Sequence, residues 1–176
     1  MIARLLLVCS LLSASALAGC SEHRSREARA SENQSLAAVV TGQSQNPACD
    51  AALWQHVYKP ERLQVLDACK TVTGVVQDVE PDEDGDMHAV LLLDPGQENL
   101  VNKRNKKKKS SGLVIEIVCS VQPKSPKSAI KACAGYQASL AMPSAGTHAR
   151  VSGSYVFDTH NGWNEIHPVS KIETLK

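Results

Sequence analysis

The strongest constraint on the fold lies near the C-terminus, in Arg150-Val-Ser-Gly-Ser-Tyr-Val-Phe-Asp158-Thr-His160-Asn-Gly-Trp163-Asn-Glu165-Ile-His167-Pro-Val169. β-branched and aromatic residues fill two runs, separated by a short polar segment carrying Gly162. This is the pattern of strand, turn, strand. Within ten residues of it, Asp158 to His167, stand an Asp, two His, a Trp and a Glu. No other stretch is as dense in side chains capable of chemistry.

The same period-two pattern runs back through the chain. Arg62–Val79 reads as a long strand with a bulge or sharp bend at Gly74, and Pro81–Gly85 as an acidic turn. Asp86–Asp94 and Leu113–Val121 read as the second and third strands, Gly146–Asp158 and Trp163–Ile172 as the fourth and fifth. Two short helices are expected, over Pro47–Val57 with Trp54 as a core anchor and over Pro126–Ala134. Five strands with an insertion between the third and fourth predict a mainly β fold, a small OB-like barrel; an SH3-like barrel or open sandwich is the alternative.

The N-terminus gives the address. Arg4 precedes a mostly apolar run, Leu5–Leu17, too short to span a bilayer, which needs about 20 residues. Leu17-Ala-Gly-Cys20 follows, and it resembles the lipobox of bacterial lipoproteins. That resemblance implies a signal peptide over 1–19 and a diacylated Cys20. Two or more acyl chains hold a protein stably on a bilayer where one does not. Ser21 in place of Asp resembles the outer-membrane sorting pattern, implying the periplasmic side of the outer membrane. Residues 20–47 are rich in Ser, Glu, Arg, Gln and Asn, too polar to bury a core, and read as a flexible tether. The folded domain is then 48–176.

Cleavage removes only Arg4 among charged residues, so the 19 Lys+Arg fall level with the 18 Asp+Glu. A near-neutral chain gives no global charge argument for nucleic acid or an acidic partner. Cys49, Cys69, Cys119 and Cys133 remain, an even number in an exported chain, and read as two disulfides with three possible pairings. Proximity favours Cys49–Cys69 and Cys119–Cys133. The spacing of a four-Cys zinc site, C-x₂₋₄-C, is absent.

The segments Cys69-Lys-Thr-Val-Thr-Gly-Val-Val76, Gly85-Asp-Met-His88, Leu113–Cys119, Cys133-Ala-Gly-Tyr136 and above all Val151–Asp158 with Gly162–Val169 resemble an uncharacterised family of exported prokaryotic OB-like domains. The Trp-x-Glu-Ile-His-Pro run is the most specific part. The resemblance implies the fold and export, and it carries no activity.

Three clusters are candidate sites. His88, Glu116, Asp158, His160, Glu165 and His167 offer imidazole and carboxylate groups. Alternate strand residues share a face, so Glu165 and His167 point one way beside Trp163, and Asp86 and His88 share another face. The metal set is His88, Glu116, Glu165 and His167, suited to a divalent transition metal such as zinc, manganese or iron. Such a metal activates water; without one, a His–Glu pair serves as acid and base. The competing reading makes Glu165 and His167 structural, paired to fix strand register. No nucleophile motif is present.

The second cluster is Lys103-Arg-Asn-Lys106-Lys107-Lys-Lys109, six cations in seven residues, read as a solvated loop or a grip for a polyanion. Aromatics for base stacking are scarce, which argues against nucleic acid and for anionic lipid or another envelope polyanion. The third, Asp82-Glu-Asp-Gly-Asp86, lacks the Gly and Glu spacing of an EF-hand and reads as an acidic hairpin turn.

The expected role is a non-catalytic binding module for an envelope polymer, protein partner or small ligand, acting through Trp163, Glu165, His167, Asp158, Lys106 and Lys107. A metal-dependent, hydrolase-like enzyme and a structural envelope protein are the alternatives.

Overall fold

The computed structural model describes residues 48–176. The lipobox, Cys20, the tether and Pro47 lie outside the described residues. Among the described residues, no helix is long and apolar enough to cross a membrane.

Five strands form one mixed sheet: β1 Leu63–Pro81, β2 Met87–Leu93, β3 Leu113–Ile117, β4 His148–Asp158 and β5 Asn164–Thr174. Their hydrogen-bonded order is β1-β2-β3-β5-β4, and β4 returns to β1, so the ladder closes on itself. All pairings are antiparallel except β3 with β5, which run parallel with Val114 opposite Glu165 and Ile115 opposite Ile166.

One long strand serves two partners. β1 pairs with β4 from Leu63 to Val75 and with β2 from Gly74 to Pro81. Gly74 is the handover point and stays in register with both neighbours. The expected bulge there falls instead between Gln77 and Glu80, with further irregularity between Val65 and Lys70. Gly74 is needed for a different reason: a Cβ there would overlap the Leu92 carbonyl oxygen. Gly153 has the same role under the Pro168 carbonyl.

The strand interior is apolar. Val72, Val76, Leu91, Leu113, Ile115 and Ile166 are among the residues of its buried core. A second cluster, with Leu53, Val57, Val118, Cys119, Cys133 and Val156, lies under the N-terminal turn. Trp54 packs against this second cluster, and its Nε1 donates to Ser154 Oγ at 3.0 Å. The disulfide Cys119–Cys133 lies within that cluster, and Cys49–Cys69 ties the N-terminal turn to β1, the pairing that proximity favours.

Element ends differ from the sequence reading where local chemistry intervenes. The first helix is a 3₁₀ turn, Ala51–His56, started by the Asp50 carboxylate accepting from the Ala52 amide. β3 stops at Ile117, because Cys119 adopts a left-handed φ of 51° on its way to the bridge with Cys133. The basic segment is not a solvated loop. It is a helix, α1, Lys103–Lys108, whose first turn is closed by a reciprocal cap between Asn102 and Asn105. The later helix, α2, spans Lys127–Ala132.

Candidate functional site

Register builds the site. His88 on β2 stands opposite Glu116 on β3, and β3 runs parallel to β5, one residue beyond Ile115 and Ile166, so Glu116 comes beside His167. Odd and even residues of β3 divide between two environments: Leu113, Ile115 and Ile117 enter the strand interior, and Glu116 faces outward. His88, Glu116 and His167 thus form a row across three strands on the sheet's outer face.

The row is tightly bonded. His167 Nδ1 lies 2.8 Å from Glu116 Oε2 and 3.2 Å from Glu165 Oε1. His88 Nε2 lies 3.2 Å from the same Glu116 oxygen and 3.5 Å from Asp82 Oδ2. Trp163 Nε1 donates to Glu165 Oε2 at 2.8 Å. Asp86, which precedes β2, accepts the Cys119 amide on Oδ1 at 2.7 Å and turns Oδ2 to within 3.8 Å of His167 Nε2. Glu165, Asp86 and His167 are only 0, 1 and 2 % exposed.

Burial sets the electrostatics. It pushes Asp86 up to about 7, although the His167 charge opposes this. It raises Glu165 to about 7 as well, helped by the like charge of Glu116. Burial acts in the same sense on Glu116, but the charges and hydrogen bonds of His167 and His88 together outweigh it and hold this carboxyl well below its usual range. Burial disfavours the imidazolium forms too; Glu116 reverses that, raising His88 to about 9 and His167 well above the ordinary histidine value. Glu116 is therefore the fixed anion of the group.

Two clefts open on this outer face and share His88. One, of about 470 Å³, is bounded by the β1–β2 turn (Asp82, Asp84), Glu116, Arg62, Tyr58 and the β4–β5 turn (His160, Asn161). The other, of about 300 Å³, runs along Val90 and Val114 to Lys108 and Lys109.

The structure separates some residues that the sequence grouped. Asp158 is not in the row: its carboxylate accepts from the amides of His160 and Asn161 and the Asn161 side chain, closing the β4–β5 turn, and Arg62 stands 3.6 Å away. Glu165 and His167 lie beneath the surface, not on it. Lys106 and Lys107 are exposed on α1. The structure also unites what sequence left apart: Lys109 Nζ sits 4.6 Å over the Trp163 ring, so the basic segment adjoins the Trp-x-Glu-Ile-His run.

A polar network that the sequence reading missed makes that junction. Asn105, fully buried amid cations, donates to the carbonyls of Gly112 and Asn164 and accepts from the amides of Asn102 and Asn164. Asn102 donates to Gly162 O and Asn164 Oδ1. The only available signal was two Asn three residues apart, a capping-box spacing. Asn105→Ala removes a partner from four backbone groups, one in a buried and three in part-buried hydrogen bonds, and about 3 kcal/mol of stability is the expected loss. Hydrogen exchange should accelerate at the Lys106 and Lys109 amides, which bond within α1, and far less in β4.

Neither a protein-family model nor any curated protein matches the chain.

Proposed function

We propose that this protein is a lipid-anchored module of the bacterial cell envelope, held through Cys20 on the periplasmic side of the outer membrane, whose OB-like domain binds an elongated envelope polymer without transforming it. The observation that carries the reading is the pair of clefts meeting at His88. OB-type barrels take oligomeric ligands on the face of strands 2 and 3 and on the loops between strands 1–2 and 4–5. Here the clefts are bounded by β2, β3, the β1–β2 turn and the β4–β5 turn. The closed strand order, with its parallel β3–β5 step, supports the OB-like assignment. So does the likeness of the Trp163–Pro168 run to exported OB-like domains.

The lining suits a polar chain. Tyr58 offers an aromatic face, Arg62, His88 and His160 offer donors, and Asp82 and Asp84 acceptors. At the other end Lys108 and Lys109 accommodate an anionic group. A glycan of the envelope has this mixture, and nucleic acid, which wants repeated stacking platforms, is a poor match.

The test is a titration of the detergent-solubilised protein with soluble peptidoglycan fragments, followed by amide chemical shifts. Expected are shifts confined to both clefts, and losses of about tenfold in affinity for Tyr58→Ala and His160→Ala, equivalent to ~1.4 kcal/mol each. The unfolding temperature of both variants should match the parent. Shifts on the opposite side of the sheet, or affinities unmoved by either substitution, defeat the reading. With lipopolysaccharide instead, binding should weaken steeply as salt rises, through the cations of α1.

A second reading, a metal-dependent hydrolase, draws on the buried carboxylates and imidazoles behind the larger cleft. It requires a turnover that chelator abolishes. A purely structural envelope protein would show cleft substitutions altering stability alone.

A further inference from the structure

We propose that Asp86 and His167, backed by Glu116, form a binding site for a single zinc ion beneath the larger cleft, with His167 Nε2 and Asp86 Oδ2 as the ligand atoms that define it. One ligand-type atom from each of the three buried residues lies within 4.8 Å of the other two. Asp86 replaces His88 and Glu165 in the set that sequence alone suggests.

The decisive atom is His167 Nε2. It is buried and has no hydrogen-bond partner. The other ring nitrogen is held by Glu116 and Glu165, which keep a proton on Nδ1, so it is the proton on Nε2, with no acceptor in hydrogen-bond reach, that an arriving ion displaces, freeing a lone pair directed away from both carboxylates. Asp86 Oδ2 faces it at 3.8 Å. That is too long for a hydrogen bond, and it is close to the ~3.3–3.6 Å between two ligand atoms that a tetrahedral ion holds at bonds of ~2.0–2.2 Å.

The supports around the site are those of a metal centre. A ligating histidine characteristically donates its second N–H to a carboxylate, which fixes its tautomer and orientation; Glu116 and Glu165 do this for His167. Asp86 is oriented in turn by the Cys119 amide on Oδ1, and Oδ2 is the oxygen that faces His167 Nε2. Imidazole nitrogen with carboxylate oxygen is a set that zinc accepts readily. Glu116, which contacts His167, also lines the larger cleft. A neighbouring grouping, Asp86 with Cys119 and Cys133, holds no metal by thiolate, because both sulfurs are spent on their disulfide. The inference does not depend on what occupies the cleft.

The experiment is a Zn²⁺ titration of the full chain in detergent, freed of metal by chelator, read by calorimetry and by the unfolding temperature. Expected are one equivalent per chain and a rise in unfolding temperature with zinc. Asp86→Asn preserves the acceptor for the Cys119 amide; it should fold and yet lose more than about 100-fold in affinity, beyond the 10–100-fold cost of removing an outer partner. Glu165→Gln, as such a partner, should lose less. X-ray absorption at the zinc edge should record nitrogen and oxygen neighbours and no sulfur. Less than one equivalent in the parent, sulfur ligation, or unchanged affinity in Asp86→Asn overturns the site. So does loss of zinc in His148→Gln, which would place the ion at the surface pair of His148 and Asp94, 2.9 Å apart.

Discussion

Glu116→Gln should lower the unfolding temperature by about 10–20 °C near pH 6, from a loss of ~3–5 kcal/mol when one member of a buried ion pair is removed. Among the described residues, Glu116 is the one carboxylate that both His167 and His88 contact. Gln keeps the volume and one acceptor, so little of the loss arises from packing. What disappears is the charge that keeps two buried imidazoles protonated. Both histidines then favour their neutral forms, which softens the penalty as pH rises. Stability from a raised histidine is fully present below its unfolded value near 6.5 and is lost as pH passes its folded value, about 9 for His88. The gap between parent and variant should therefore be wide at pH 6 and narrow at pH 9. Thermal scans at the two pH values decide it. A variant within a couple of degrees of the parent at pH 6, a shift worth under ~1 kcal/mol, would mean that the charge is not used.

The parent itself should be most stable on the acid side of neutrality. With metal removed by chelator, the unfolding temperature should peak near pH 5 and fall steadily to pH 9. Asp86 and Glu165 bind their protons up to about 7 in the folded protein and release them at ordinary carboxyl values when unfolded. Folding takes up protons between those limits, so stability is lost as pH rises through 7. His88 continues the decline from 6.5 to about 9, and His167 acts in the same sense. Glu116, held low, works the opposite way and limits stability only below its ordinary value near 4.5. Asp84, raised chiefly by burial, adds to the first fall. Glu165→Gln should flatten the part between pH 4.5 and 7, and His88→Gln the part above 6.5. A profile rising from pH 5 to 8 would refute the charge assignments.

Much of the strand pattern was legible because it is local. β4 and β5 alternate cleanly around a Gly-bearing turn, and the pairs Glu165/His167 and Asp86/His88 could be assigned common faces from period two alone. Register between distant strands was not. Glu116 meets His167 only because β3 and β5 run parallel, and nothing near either residue encodes that alignment across fifty positions. The face was equally hidden: in β3 every residue from Leu113 to Ile117 is buried, so neither side reads as solvent. Asp158 misled for a related reason, since an Asp closing a turn and an Asp awaiting a metal look alike in sequence. The cations of the Lys103–Lys109 run masked Asn105, whose amide makes the helix possible.

Cys119 connects two of these features. Its sulfur is bound to Cys133, its backbone is left-handed, and its amide holds Asp86. In a reducing compartment the loop is free to leave that conformation, which a non-glycine residue adopts reluctantly, and Asp86 then loses the donor that fixes it. The setting of Asp86 is thereby coupled to the oxidation state of a disulfide on the neighbouring loop.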